Sequence, residues 1–256
     1  MKYISTRGSA PEKTFSEALL TGLADDGGLY VPDKWPSFSG SGSGNYLETA
    51  FEVMNLFTAG SLSEETLKKI IDEAYKSFDV QEVVSLTELD KQIFLMELFH
   101  GPTLAFKDIA LQLVGELFDY ELNSRGEHLT IVGATSGDTG SAAIEACKGR
   151  QNLDIVILHP SGRVSDVQRR QMTTVDSFNV HNVAIEGTFD DCQDLVKAMF
   201  NDLDYRKKLK LGAVNSINWA RVMAQIVYYV VASERIGSHD QPVIFSVPTG
   251  NFGNVF

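Results

Sequence analysis

The sequence has 256 residues, of which 43% are hydrophobic and 22% are charged, and its formal net charge is −12. This composition predicts an ordinary globular protein with a substantial core and argues against disorder. The excess of negative charge opposes nucleic-acid binding, because phosphate backbones are bound by clustered Lys and Arg.

Neither a membrane segment nor a secretory signal is indicated. The longest apolar stretches fall well short of the ~20 residues that a bilayer span requires, and residues 1–7 precede no hydrophobic run. We therefore expect no membrane association and a cytoplasmic location. Cys147 and Cys192 match no metal-ligand spacing, so we predict two buried thiols and neither a disulfide nor a metal site.

Residues 1–90 are predicted to form a mainly helical N-terminal domain without an evident catalytic cluster. Thr14 and Glu17 fit a capping box, and the apolar residues that follow recur at helical spacing. The predicted elements are a helix from Thr14 to about residues 25–28, a strand at 29–31 that stops at Pro32, and helices at 47–59 and 63–78.

Residues 91–256 show a different pattern, in which apolar runs of strand length alternate with amphipathic segments. Such alternation predicts an α/β fold with a mostly parallel sheet and flanking helices. The predicted strands are 93–98, 129–132, 155–158, 180–185 and 243–247. The predicted helices are 108–122, 139–147, 165–174, 189–201 and 218–236.

Lys107 lies at the mouth of the first helix of this region, after a Gly-Pro turn and an apolar run at residues 101–106. A lysine amine held there can form a Schiff base with an aldehyde. The alternative is an ordinary solvated lysine, and this segment alone does not decide between them.

Two glycine-rich turns follow predicted strands. Residues 133–140 read Gly-Ala-Thr-Ser-Gly-Asp-Thr-Gly, where small residues, hydroxyls and a helix N-terminus suit a bound carboxylate or phosphate. A plain strand-to-helix turn capped by Asp138 or Thr139 is the alternative. Residues 248–254 read Pro-Thr-Gly-Asn-Phe-Gly-Asn and can wrap a phosphate with backbone donors. Neither turn matches the dinucleotide fingerprint or the Walker spacing, which disfavours a nicotinamide or ATP site.

Three segments together resemble the pyridoxal-phosphate enzymes of the tryptophan-synthase β-subunit type, which have fold type II. They are Phe-Lys-Asp at 106–108, Thr-Ser-Gly-Asp-Thr-Gly at 135–140 and Gly-Asn-Phe-Gly-Asn at 250–254. Within this family the chain is similar to the threonine synthase branch that carries an extra N-terminal domain. Further matches are Tyr-Ile-Ser-Thr-Arg-Gly at 3–8, Asp-Gly-Gly-Leu-Tyr-Val-Pro at 26–32, Gly-Arg-Val-Ser at 162–165 and Asn-Ser-Ile-Asn-Trp-Ala-Arg at 215–221.

The resemblance implies pyridoxal 5′-phosphate as the cofactor and O-phospho-L-homoserine as the substrate, which water converts into L-threonine and phosphate. Lys107 would hold the cofactor aldehyde as a Schiff base and, once released, move protons at the substrate's Cα and Cβ. The implied cofactor-binding residues are Phe106, Lys107, Asp138, Gly250, Asn251, Phe252, Gly253 and Asn254. The implied substrate-binding residues are Thr135, Ser136, Gly137 and Thr139 for the carboxylate, and Ser216 and Arg221 for the phosphate.

Two of these assignments keep an alternative. Position 138 lies beside the cofactor's ring hydroxyl in the family, where many relatives outside this branch have Asn. An ionised Asp138 can accept but not donate a hydrogen bond, so its partner stays open. Arg221 could instead be a helix-surface arginine.

The reaction also keeps alternatives. A phospho-amino-acid lyase or a serine/threonine dehydratase would begin with the same Lys107 chemistry, and a noncatalytic α/β binding module would use the glycine turns only to cap helices. Because the family continues past the phosphate loop, we expect residues 1–256 to lack part of the large domain and, alone, to bind the cofactor weakly and turn over little or nothing. We expect a small-molecule substrate, and neither nucleic acid nor a membrane as a partner.

Overall fold

The computed structural model describes residues 1–213, 218–237, 242–249 and 252–255. Its strands are β1 (Tyr3–Ser5), β2 (Tyr30–Pro32), β3 (Ser85–Asp90), β4 (Ile93–Glu97), β5 (Leu129–Ala134), β6 (Leu153–Pro160), β7 (Val180–Ile185) and β8 (Leu211–Gly212). Its helices are α1 (Phe15–Thr21), α2 (Tyr46–Thr58), α3 (Glu64–Tyr75), α4 (Lys107–Arg125), α5 (Asp138–Cys147), α6 (Asp166–Thr173), α7 (Phe189–Asn201), α8 (Leu203–Lys208) and α9 (Trp219–Ile236).

A parallel sheet with strand order β7-β6-β5-β8 lies at the centre of the C-terminal region. Successive side chains of a strand point to opposite faces of the sheet. Ile131 of β5 therefore lies in the main core with residues of α4 and α5, whereas the next residue, Val132, lies in a second cluster with Cys192 of α7. The predicted α/β fold with a mostly parallel sheet and flanking helices is confirmed.

Helices α4 and α5 run side by side from neighbouring N-terminal ends. Lys107 begins α4 and Asp138 begins α5. Eight residues further along each helix, Gly115 lies against Ala146, and a Cβ atom at position 115 would come within 2.4 Å of the Ala146 carbonyl oxygen. Only glycine allows the two helices to approach this closely, so the contact sets the separation of their N-terminal ends.

The N-terminal region shares one apolar core with the rest of the chain. Trp219, the first residue of α9, packs its ring against the rings of three residues from the N-terminal region, which are Tyr3, Trp35 and Phe57. Aromatic side chains bury large areas and dominate such contacts. The start of α9 is therefore positioned by the N-terminal region.

Helix α1 begins with the predicted capping box, in which Thr14 and Glu17 each accept a hydrogen bond from the other's backbone N–H. The helix ends at Thr21, earlier than predicted, because Gly22 adopts φ +66° and donates back to the Ala18 carbonyl. A glycine in this conformation stops a helix without steric cost.

One predicted strand pairs differently from the expectation, and one is wrong. The strand predicted at 93–98 forms as β4, but it does not join the parallel sheet, because it pairs antiparallel with β3, a strand that was not predicted. Residues 242–249 have no regular secondary structure, so the strand predicted at 243–247 is wrong. A strand needs a neighbouring strand for its hydrogen bonds; within the described residues nothing pairs with this segment, and Ile244 is 89% exposed.

Both cysteines are buried and free, as predicted. Burial raises the pKa of the Cys147 thiol to about 12, which makes this thiol unreactive at neutral pH. In the described part of the chain, no helix is long and apolar enough to cross a bilayer.

Asp26 joins two of the motifs noted in the sequence. Its carboxylate accepts hydrogen bonds from the Ser5 hydroxyl at 2.7 Å, from the backbone N–H groups of Ser9 and Ala10 at 2.9 Å each, and from that of Gly28 at 2.8 Å. The Ser5 hydrogen bond and these backbone donors hold the pKa of Asp26 at about 2, below the ordinary 3.8. The hydrogen bonds of Asp26 therefore hold the segments 3–8 and 26–32 together.

We expect Asp26→Asn to lower the melting temperature by about 2–6 °C at pH 7, because the ionised carboxylate is lost from its donors. The folded pKa lies below the unfolded one, so the stabilisation is fully present above the ordinary value of 3.8 and is lost as the pH falls towards about 2. Thermal melts of both proteins between pH 7 and pH 2.5 should show the difference narrowing on acidification. Asp33→Asn, at an exposed carboxylate just after β2, is the control. A difference that stays constant with pH would contradict this account.

Candidate active site

Lys107 and Asp138 meet at the paired ends of α4 and α5. Lys107 Nζ donates to Asp138 Oδ2 at 2.7 Å, and the lysine side chain is only 15% exposed. The ammonium nitrogen also lies 4.3 Å from the centre of the Phe106 ring. The structure thus brings together three of the residues predicted for the cofactor site, and Lys107 is not an ordinary solvated lysine.

The turn before Lys107 is held by the residue that follows it. Asp108 is fully buried and accepts hydrogen bonds from the Thr103 backbone N–H and hydroxyl, each at 2.8 Å. Burial raises the pKa of Asp108, and the Thr103 donors oppose that rise. A Cβ atom at Gly101 would come within 2.4 Å of the Asp108 Cβ, so the turn folds tightly over this carboxylate.

The glycine turn between β5 and α5 is organised by Thr135. Its buried hydroxyl accepts hydrogen bonds from the backbone N–H groups of Gly137 at 3.1 Å and Gly140 at 2.9 Å. Thr135 therefore shapes the turn itself, whereas the expected cap by Asp138 or Thr139 is not formed, because the N-cap residue of α5 is Gly137, which has no side chain to cap the helix. Ser136 is exposed and Thr139 is half-buried, and neither hydroxyl bonds to another described residue, so both can face a ligand.

Arg221 lies near the start of α9 and is only 3% exposed, so the alternative of a helix-surface arginine is wrong. Burial lowers the pKa of Arg221 to about 10, while the charge of Asp138 opposes this shift. The guanidinium is therefore a buried cation within electrostatic reach of the Lys107–Asp138 pair.

The described part of the predicted phosphate loop docks on α9 beyond Arg221. Gln225 Nε2 donates to the Gly253 carbonyl at 2.7 Å, and the Tyr229 hydroxyl donates to the Asn254 carbonyl. Within the loop, the Thr249 hydroxyl donates to Asn254 Oδ1 at 2.8 Å and accepts from the Phe252 backbone N–H at 3.1 Å. Three predicted site residues, Ser216, Gly250 and Asn251, lie outside the described residues.

Several contributors were not predicted from the sequence. Gln225 and Tyr229 follow Arg221 at intervals of four residues, so helical periodicity along α9 could have found them. Gln171 of α6 donates from Nε2 to the Thr103 carbonyl at 3.1 Å across 68 residues of chain. No local pattern marks a contact of that separation, and a glutamine on an amphipathic helix resembles any solvated residue.

The residues at these turns fit pyridoxal phosphate. A partly buried lysine amine is available for the aldehyde, and a carboxylate and a half-buried threonine hydroxyl lie at the adjacent helix end. Residues 252–255 are docked on the helix that carries the buried Arg221, where anionic groups find a positive partner.

Comparison with known protein families agrees with this geometry. A family described as "Threonine synthase N terminus" matches residues 2–75, and one described as "Pyridoxal-phosphate dependent enzyme" matches residues 79–256. Threonine synthase of Pseudomonas aeruginosa is 56% identical over 261 residues, an alignment that includes 100% of this chain and 56% of the relative.

Solved structures show the same relationship. A structure of PLP bound threonine synthase from Brucella melitensis is 54% identical with a TM-score of 0.92, and the match covers 100% of this chain and 56% of that one. Threonine synthase from yeast is 42% identical with a TM-score of 0.91, covering 99% of this chain and 54% of the yeast chain. The chain spans about half the length of the relatives that it matches. It belongs to the pyridoxal-phosphate-dependent enzymes of fold type II and, within them, to the threonine synthase family.

Proposed function

We propose that the protein carrying this chain is a threonine synthase, which uses pyridoxal 5′-phosphate on Lys107 to convert O-phospho-L-homoserine and water into L-threonine and phosphate. The observation that carries the proposal is the contact of Lys107 Nζ with Asp138 Oδ2 at 2.7 Å, at the paired ends of α4 and α5. The relatives named threonine synthase, aligned over the whole chain, support it.

Each part of the site has a chemical task in this proposal. Bound pyridoxal phosphate supplies an electron sink for the negative charge that develops at the substrate's Cα. The Lys107 amine removes a proton at Cα and returns one, and Asp138 keeps that amine at the reacting carbons. Phe106 packs beside the lysine and helps to define the cofactor pocket.

The two anionic ends of the substrate are assigned to different elements. The carboxylate is assigned to Ser136, Thr139 and the backbone of Gly137, with Thr135 shaping that turn. The γ-phosphate is assigned to Arg221 and Ser216, since a buried guanidinium binds phosphate with a planar pair of donors.

The cofactor phosphate is assigned to the loop of Gly250, Asn251, Phe252, Gly253 and Asn254. Its described part is held on α9 by Gln225 and Tyr229. We also propose a cytoplasmic location, which the two free, buried thiols support.

Borohydride reduction of the protein at its natural length, incubated with pyridoxal phosphate, should leave a pyridoxyl group on Lys107, detected by peptide mass spectrometry. A sample without borohydride is the control, because the Schiff base hydrolyses during digestion. With phosphohomoserine, we expect threonine and phosphate as products. Release of 2-oxobutyrate would instead support the phospho-amino-acid lyase, and the absence of any adduct on Lys107 would support the binding module.

A further inference from the structure

Helix α6 touches both turns of the candidate active site through one face. Gln171 Nε2 donates to the Thr103 carbonyl, in the turn before Lys107, at 3.1 Å. Gln168 lies on the glycine turn, where a Cβ atom at Gly137 would come within 2.4 Å of the Gln168 Oε1. Positions 168 and 171 are three residues apart, so they share one side of the helix. The helix therefore bridges two turns that the sequence separates widely.

Helix α6 is itself well anchored. The Ser165 side chain caps its N-terminal end by accepting from the Gln168 backbone N–H. Met172 is fully buried, and its Sδ would lie 2.7 Å from a Cβ atom at Gly140. Asn182 of β7 donates to the Met172 carbonyl at 3.0 Å. A helix held at its cap, its buried side chain and its C-terminal turn can act as a fixed support.

The turn before Lys107 needs such a support. Leu104 adopts φ +60°, a backbone conformation that is unfavourable for leucine unless surrounding contacts stabilise it. Asp108 holds one side of the turn, but it belongs to α4, the same helix as Lys107. The hydrogen bond from Gln171 reaches the same residue, Thr103, from a separate element. That bond connects the turn at residues 101–106, called the lysine turn below, to the part of the fold that carries the glycine turn at residues 133–140.

We propose that Gln171 is a positioning residue that fixes the lysine turn relative to the glycine turn, and so places the Lys107 amine for its chemistry. The inference rests on the proposed role of Lys107 as the cofactor lysine. Gln171 acts through the Thr103 carbonyl, whereas Gln168 seats the same helix against Gly137. A change at position 171 should therefore loosen the lysine turn and leave the glycine turn in place.

Amide hydrogen exchange of the natural-length protein, measured without added cofactor, tests this directly. In Gln171→Glu, a carboxylate replaces the donor and faces the Thr103 carbonyl, so exchange in segment 103–108 should rise about tenfold while segment 135–140 is unchanged. Gln171→Met removes the donor without adding charge and should give an intermediate increase. Gln171→Lys restores a donor and should exchange like the wild type. Gln151→Glu, on the exposed turn between α5 and β6, is the matched charge control.

Two further measurements connect the turn to Lys107. The rate at which a borohydride-trapped pyridoxyl group forms on Lys107 should fall roughly fivefold in Gln171→Glu, and kcat should fall about tenfold with a smaller change in KM. Equal exchange at 103–108 in Gln171→Glu, Gln171→Met and wild type would overturn the proposal. If wild type formed no adduct on Lys107, the proposed function would fail. The order of the amide exchange rates at 103–108 among the variants would still decide whether Gln171 holds the turn.

Discussion

Replacing Lys107 by alanine is expected to lower kcat for threonine formation by about 10³–10⁴-fold, because one side chain both holds the cofactor and moves the protons. The substitution removes the amine that lies 2.7 Å from Asp138 at the start of α5. Fold and substrate affinity should change far less than kcat, since the lysine is the first residue of α4 and its side chain is not part of the apolar core. Steady-state assays of phosphate release and threonine formation measure the effect.

The matched control for this substitution is Lys148→Ala. Lys148 follows α5, and its 45% exposed side chain pairs with the half-buried Glu145 at 2.5 Å. The pair is far from the candidate cofactor lysine in sequence and lies at the protein surface, where ion pairs contribute little. Its removal should leave kcat within about twofold of wild type. A Lys107→Ala protein that still turns over at more than a tenth of the wild-type rate would show that another amine carries the reaction.

Arg221→Lys is expected to raise KM for phosphohomoserine by about 10–100-fold with a smaller change in kcat. Lysine keeps the positive charge but loses the planar pair of donors that suits a phosphate. Because Arg221 is only 3% exposed, water cannot replace the hydrogen-bond donors that lysine lacks at this position. Initial rates at varied substrate concentration, with a thermal melt to confirm folding, separate KM from stability.

Inhibition by inorganic phosphate and by L-homoserine provides the internal comparison for Arg221→Lys. Phosphate should inhibit the variant much less than it inhibits wild type, whereas homoserine, which has no phosphate, should inhibit both alike. If inhibition by phosphate and inhibition by homoserine were weakened to the same extent in the variant, position 221 would support the fold of the whole site and would not contact the phosphate.

Local signals predicted the helices of this chain well. Segment 189–201 was predicted with the observed bounds, and the structure shows a capping box of Thr188 and Asp191 at its start. The bounds of β7 were also predicted, since its strand-like residues stand between clear turn signals. Such features are encoded within a few residues and need no knowledge of the rest of the fold.

Strand pairing was the part of the fold that the sequence predicted least well. The apolar run 93–98 carries no mark of whether its partner is parallel or antiparallel, and its partner β3 is largely exposed, so it lacks a clear apolar pattern. At 243–247 an apolar run alone predicted a strand, yet a strand forms only beside another one. Strand β8 has two residues, too few for any periodic pattern.

Motif order predicted which residues meet in the candidate site better than it predicted the residues that support them. Lys107 and Asp138 lie in short characteristic segments, and the structure places Lys107 Nζ 2.7 Å from Asp138 Oδ2. The hydroxyl of Thr135 is used by the turn's own backbone, which the motif does not distinguish from ligand binding. Gln171 and Thr103 meet only in three dimensions, so neither could be chosen from its neighbours in the sequence.

The contact between Gly115 and Ala146 has an electrostatic consequence. Two helices packed side by side in the same direction add their dipoles, and each contributes about half a positive charge at its first turn. Those first turns lie together at one partly buried point, where the positive helix ends meet the carboxylates of Asp108 and Asp138. Dissolved ions screen such a point less than they screen surface charges. The attraction between the helix ends and these two carboxylates should therefore persist at ionic strengths that weaken interactions on the protein's surface.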